Sequence, residues 1–94
     1  MNLTTNFVRT DYNPAIESFI KALIEKTFKD YHNVNSIVVN LYAQNDVMVP
    51  WKCNIHVSNL DGTLISTESL AANYLTAFSQ ALTRVKRQFE KIAS

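Results

Sequence analysis

Apolar residues recur at two different spacings along this chain, and the order of these spacings restricts the possible folds. Between Pro50 and Ser58 they fall at every second position, which is typical of a strand with one buried face. Between Pro14 and Tyr31, and again between Leu70 and Ile92, they fall at every third or fourth position, as in an amphipathic helix. The chain has one glycine and two prolines, so few residues are left for long irregular loops.

The local signals predict six elements in the order β-α-β-β-β-α. Strands are predicted at residues 3–9, 36–43, 50–58 and 63–67, and helices at residues 14–31 and 70–92. Asn13 and Pro14 suit the cap and the first position of the first helix, and Gly62 suits a turn with positive φ. We therefore predict an α/β fold, specifically an α+β two-layer sandwich. Its four-stranded sheet begins with a parallel pair, continues as a meander and has both helices on one face.

Length and composition predict a single domain over residues 1–94, located in the cytoplasm. A chain of 94 residues is long enough for one hydrophobic core. The lone cysteine, Cys53, excludes an internal disulfide and suits a reducing compartment. No apolar run approaches the ~20 residues that cross a membrane, and the first five residues lack the features of a signal peptide.

The basic residues of the second helix form a stripe. Its apolar side consists of Leu75, Phe78, Leu82, Val85, Phe89 and Ile92. Arg84, Arg87 and Lys91 lie within about 60° of one another on the opposite side, with no acid among them. Guanidinium groups offer forked donors for phosphate oxygens, and such contacts supply most sequence-independent affinity for RNA. The helix dipole alone also favours cations near a helix C-terminus, so a merely solvated helix end remains open.

Charges on the first helix are mixed. Lys21, Glu25 and Lys29 follow one another at i, i+4 spacing after Glu17, a pattern that mainly stabilises the helix. Lys26 stands apart from this ladder. The net charge of the whole chain is only +1, so a nucleic-acid function has to be argued from the positions of the charges.

A secondary candidate surface is predicted on the sheet. Tyr42, Lys52 and His56 share the face opposite that of Trp51 and Cys53. An aromatic ring beside a cation can stack on bases of single-stranded RNA. The alternative interpretation is an ordinary polar sheet surface.

Four stretches resemble the short forms of the ribosome hibernation-promoting factor and ribosome-associated inhibitor family. They are Tyr12–Ile16, Asn35–Val39, Gly62–Glu68 and Ala77–Lys91. The resemblance covers nearly the whole chain in the same order of elements, and its specificity lies in the combination of the four stretches.

This resemblance implies a factor that lies on the small ribosomal subunit, in the channel between head and body. Such factors contact 16S ribosomal RNA through basic residues of both helices, overlap the sites of messenger and transfer RNA, and silence translation. By this resemblance, the rRNA-binding residues are Lys26, Lys29, Arg84, Arg87 and Lys91.

No set of residues converges on catalysis or on a metal. His56, Ser58 and Asp61 lie on one strand and its turn, without a nucleophile elbow. Cys53 and His56 are too few for a zinc site, and one glycine cannot make a glycine-rich phosphate loop. We therefore expect no enzyme, no cofactor, no metal and no small-molecule substrate.

Two other functions remain open. One is a double-stranded RNA-binding module away from the ribosome, which would use a basic helix start that Glu68, Ser69 and Leu70 do not provide. The other is a protein-interaction module, which the near-neutral charge and the mixed first helix favour.

Overall fold

The computed structural model describes residues 1–93 of the chain and the side chains of residues 1–91. Its elements are β1 (Asn2–Val8), α1 (Pro14–Phe28), β2 (Val34–Ala43), β3 (Trp51–Asn59), β4 (Leu64–Ala71) and α2 (Tyr74–Ala93). The strands form one sheet in the order β1-β2-β3-β4, in which β1 and β2 are parallel and the other pairs are antiparallel. The predicted order of elements, the parallel first pair and the meander are confirmed.

Both helices cover the same face of the sheet. Every second residue along β3 and β4 is buried, and the buried ones face the helices, so the α+β two-layer sandwich is confirmed. α2 packs over β3 and β4, whereas α1 contacts β1. The largest fully buried side chains are Ile20 and Ile24 of α1, Phe78 and Val85 of α2, and Ile37, Val39, Leu41, Cys53, Ile55 and Val57 of the sheet.

The first helix begins where its cap predicts, but it ends three residues early. The side chain of Asn13 accepts hydrogen bonds from the backbone N–H groups of Ala15 (2.9 Å) and Ile16 (3.1 Å). The prediction of a helix to Tyr31 is wrong, because α1 ends at Phe28. The apolar spacing continues past this end, since the ring of Tyr31 packs on Phe28 and Phe89 from a turn rather than from a helix.

Removing the cap of α1 has a predictable cost. Asn13→Ala leaves the N–H groups of Ala15 and Ile16 without their side-chain acceptor, and we expect a loss of about 1 kcal/mol in the free energy of unfolding. Urea unfolding followed by circular dichroism measures this loss. Asn13→Ser, which keeps an acceptor oxygen, is the control and should retain most of the stability. Equal losses for the two variants would contradict a capping role.

The boundary between β4 and α2 is the largest departure from prediction. β4 continues to Ala71, four residues beyond the predicted end at Thr67, and α2 begins at Tyr74 rather than at Leu70. The helix is capped by Asn73, whose side-chain oxygen accepts from the N–H of Thr76 at 2.8 Å. Residues 68–71 are a strand because their alternate side chains lie against α2, a contact that local sequence patterns do not reveal.

Most of the predicted apolar side of α2 is buried. Phe78, Val85, Leu82 and Phe89 all belong to the core. Leu75 does not, because it lies in the first turn of α2 and is 44% exposed. The predicted core position of Ile92 falls outside the described side chains. Gly62 has φ of +90°, so the predicted positive φ in the β3–β4 turn is confirmed.

Candidate nucleic-acid interface

The outer face of α2 carries a shallow recess of about 330 Å³ that brings Arg84 and Arg87 together. Its other lining residues are Ser79, Gln80 and Thr83. The recess forms because positions three, four and seven apart on a helix lie on the same side. Both guanidinium groups are exposed. Two forked cations flanked by hydroxyl and amide groups suit the oxygens of phosphates.

Arg84 is held in place by the backbone of the sheet. Its Nη1 donates a hydrogen bond of 2.6 Å to the carbonyl oxygen of Glu68 in β4. The guanidinium group therefore lies where α2 meets β4, with most of its five donors still available. This contact was not predicted, because the predicted β4 ended one residue before Glu68.

Two further hydrogen bonds attach α2 to β4. The buried hydroxyl of Thr67 donates to the carbonyl oxygen of Ala81 at 3.0 Å. The hydroxyl of Ser69 donates to Oε1 of Gln80 at 2.6 Å. With the Arg84 bond they form a polar seam along the edge strand, which orients the recess relative to the sheet.

Lys91 lies on α2 four residues after Arg87 and is exposed. Four residues bring its Cα back to nearly the same side of the helix, about one turn further along. Arg84, Arg87 and Lys91 therefore follow one another along the outer part of α2, as the helical wheel predicts.

Lys26 lies elsewhere, in a groove between the C-terminal halves of the two helices. This groove of about 360 Å³ is lined by Lys26 of α1, by Asp30 of the turn that follows α1, and by Lys86 and Glu90 of α2, together with Leu23, Thr27 and Tyr31. Lys29 is exposed and caps the end of α1. The helix layer therefore holds two basic regions, the recess and this groove, and acids are mixed into the second.

Sequence reasoning missed Lys86 as a groove residue. On the helical wheel it stands at the far edge of the apolar arc, away from Arg84 and Arg87. Lys86 lies in the groove because the two helices run parallel to each other, in the same direction. Ile16 and Phe19 from the start of α1 share an apolar depression with Leu75 from the start of α2, so the two C-terminal ends are also neighbours.

One acid and one lysine near the start of α1 form an ion pair within the helix. Nζ of Lys21 lies 3.4 Å from the carboxylate of Glu17, at i, i+4 spacing. The same carboxylate accepts a hydrogen bond from the hydroxyl of Tyr12 at 3.1 Å, and the acid raises the pKa of that phenol. This end of α1 presents little free positive charge.

The secondary surface lies on the open face of the sheet, where Tyr42 and Lys52 are directly paired. Nζ of Lys52 lies 4.4 Å from the centre of the Tyr42 ring, a cation–π contact. His56 is four residues along β3, about 13 Å from Lys52, and its Nδ1 is 2.7 Å from the hydroxyl of Ser66. The structure thus brings Tyr42 and Lys52 together but leaves His56 apart.

A row of amides crosses the open face between these two places. Asn6, Asn40 and Asn54 are cross-strand neighbours, and Glu68 continues the row on β4. Nδ2 of Asn6 donates to Oδ1 of Asn40 at 2.8 Å. The row depends on strand register, so it appears only once the sheet is assembled.

The geometry of the described residues does not assemble a catalytic triad or a metal site. His56 contacts Ser66 rather than Ser58, and the carboxylate of Asp61 accepts from the N–H of Thr63, which lowers its pKa. Within the described residues, no three His, Cys, Asp or Glu side chains lie together in a way that could hold a metal ion. No helix in the described part of the chain is long and apolar enough to span a membrane.

Comparisons with known proteins show where else this fold occurs. No family model and no curated protein sequence matches the chain. Solved structures do match. The N-terminal domain of Thermus thermophilus Protein Y superposes with a TM-score of 0.81 at 18% identity, over 98% of this chain and 99% of that one. A ribosomal subunit interface protein from Coxiella burnetii superposes with a TM-score of 0.85 at 11% identity, over 99% of this chain and 98% of that one.

Both similarities run over nearly the full length of each chain, at identities that establish a shared fold. The resemblance that the four sequence stretches indicate is therefore confirmed at the level of the fold. This chain has the fold of the Protein Y N-terminal domain and of a ribosomal subunit interface protein.

Proposed function

We propose that this chain is a ribosome-associated factor of the cytoplasm that binds 16S ribosomal RNA on the small subunit. By occupying the sites of messenger and transfer RNA it silences translation, without catalysis. The observation that carries the proposal is the recess on α2, where Arg84 and Arg87 lie with hydroxyl and amide groups on an exposed helix face. The likeness in fold to a ribosomal subunit interface protein supports the same partner.

The proposed rRNA-binding surface is the helix layer. Arg84, Arg87 and Lys91 supply phosphate contacts along the outer part of α2. Lys26 and Lys29 add a second basic region at the C-terminal end of the neighbouring helix, α1. Asp30 and Glu90 beside Lys26 reduce the positive potential there, so α2 provides the larger share of the affinity.

A plain double-stranded RNA-binding function gains no support. The corrected start of α2, Asn73 to Thr76, carries no cation, just as the start predicted from the sequence carried none. Domains of that class place basic groups at a helix start. A protein-interaction function is the outcome if ribosomal binding fails in the experiment below.

We expect co-sedimentation with purified small subunits in a sucrose gradient to depend on Arg87. Arg87→Glu removes a charge-assisted contact of about 1.5–3 kcal/mol, so binding should weaken roughly ten- to a hundredfold. Comparing about 50 mM with about 200 mM salt should show a smaller salt dependence for the variant than for the wild type. Arg87 is chosen over Arg84 because Arg84 also bonds to β4.

Lys52→Glu is the matched control, because it changes the net charge equally but lies on the open face of the sheet. Loss of binding for Arg87→Glu with retention for Lys52→Glu supports the helix surface. Equal weakening of both variants would show that overall charge or the sheet face governs binding. Failure of the folded wild type to sediment at low salt would contradict the ribosomal function altogether.

A further inference from the structure

β4 is an edge strand whose outer side is exposed. It pairs with β3 along all eight of its residues without a bulge, and no strand of the described residues 1–93 lies on its other side. The hairpin bond from the N–H of Asn59 to the carbonyl of Thr63 shows which backbone groups of β4 face β3. Alternate residues bond inward, so the N–H and C=O groups of Leu64, Ser66, Glu68 and Leu70 face outward.

Such an edge is a template for another strand unless something blocks it. Natural proteins use lysine, proline or a bulge on the edge strand. β4 (LISTESLA) contains neither lysine nor proline and has Glu68 as its one charge. Two of its outward residues are apolar and exposed, with Leu64 at 74% and Leu70 at 46%.

Arg84 is hydrogen-bonded to one of these outward backbone carbonyl groups. Its guanidinium donates to the carbonyl oxygen of Glu68 at 2.6 Å, near the middle of the edge. A strand added at this edge would need that same oxygen as an acceptor. The group that hinders strand addition at β4 is therefore supplied by α2 and not by a residue of β4 itself.

We propose that Arg84 prevents this chain from pairing with a second copy of itself through β4. Two copies of one edge strand can pair with each other in antiparallel orientation when a twofold axis relates them. With the axis at Thr67, Ser66 lies opposite Glu68 of the second copy, so outward groups meet outward groups. In the same register, Leu64 of each copy lies opposite Leu70 of the other copy. Pairing therefore covers both exposed leucines of each copy.

Charge works in the same direction as the hydrogen bond. In the paired form the two α2 helices would lie side by side over one continuous sheet, with the seam residues facing each other. Arg84 of one copy would then approach Arg84 of the other, and like charges at close range repel. Removing Arg84 both frees the Glu68 carbonyl and relieves this repulsion.

The test is sedimentation equilibrium of the protein alone, from micromolar to millimolar concentration. We expect the wild type to remain monomeric and Arg84→Ala to dimerise at least about tenfold more strongly. Arg84→Gln, which keeps a helix-forming stem, is a second variant with the same expectation. Arg87→Ala is the matched control and should behave as the wild type, because Arg87 lies a turn away on the outer face of α2.

Two further measurements identify the interface. Adding Leu64→Lys and Leu70→Lys to Arg84→Ala should restore the monomer, because lysines on an edge oppose strand addition. Amide hydrogen exchange at Ser66 and Glu68 should slow in the dimer, since their outward N–H groups become bonded. Folded Arg84→Ala and Arg84→Gln that stay as monomeric as the wild type, or a dimer that survives the lysines, would overturn the proposal.

Discussion

Phe78→Ala is expected to lower the free energy of unfolding by about 3–5 kcal/mol, the range for truncating a buried aromatic ring. Phe78 is 1% exposed and is the largest fully buried side chain of the core. It lies on α2 over β3 and β4, so the cavity would open between the two layers of the sandwich. A domain of this size is stabilised by about 5–15 kcal/mol, so the variant would lose a large part of its stability. Urea unfolding measures the difference.

Phe19→Ala is the comparison. The two rings meet edge to face with centroids 6.4 Å apart, but Phe19 is 46% exposed. Its truncation removes the same ring pair while leaving only a surface depression, so we expect at most about half the loss seen for Phe78. Equal losses at both positions would contradict the placement of Phe78 at the centre of the core.

The thiol of Cys53 is expected to make stability depend on pH above 9. Cys53 is fully buried in β3, and burial raises its pKa from 9.0 to about 12. In the unfolded chain the thiol loses its proton near 9, whereas in the folded chain it stays neutral. Its contribution is therefore complete below pH 9 and is lost as the pH rises toward 12, at about 1.4 kcal/mol per pH unit.

Comparison with Cys53→Ala isolates this effect. All other ionisable side chains are the same in both proteins, so their effect on the pH dependence cancels in the difference. We expect the stability advantage of the wild type over Cys53→Ala to shrink as the pH rises from about 9 to about 10.5. Urea unfolding across this range provides the measurement. A constant difference would show that the thiol ionises in the folded protein as easily as in the unfolded one.

Much of the fold follows from short-range patterns. The spacing of apolar residues in Pro14–Phe28 and in Trp51–Asn59 identifies a helix and a strand, because each depends on residues two to four positions apart. Asn13, Pro14 and Gly62 mark ends and turns for reasons contained in their own backbone preferences. The order of elements then leaves few ways to arrange them.

The errors arise where short-range patterns are ambiguous. Tyr31 continues the apolar spacing of α1, yet it packs on Phe89 from a turn. Glu68 and Ser69 resemble a polar helix start, yet they belong to β4. In both places the contact that decides the structure comes from α2.

The candidate site also contains residues that the sequence placed correctly and residues that only the tertiary structure places. The helical wheel places Arg84, Arg87 and Lys91 on one side of α2, and the recess brings the two arginines together. It does not place Lys26, which lies instead with Lys86 in the groove between the helices. That pairing depends on the parallel packing of two helices that are distant in the sequence.

By itself, the sequence determined the order of the elements, the buried face of β3, the apolar sides of the helices and the basic side of α2, because these depend on near neighbours along the chain. Only the tertiary structure decided the length of β4, the start of α2 and the position of the Arg84 guanidinium. The groups that bond to Thr67, Ser69 and Arg84 lie 14, 11 and 16 residues away. Hydroxyl and guanidinium groups can donate hydrogen bonds to many different acceptors, so the partner of each is decided only when α2 packs against the sheet edge.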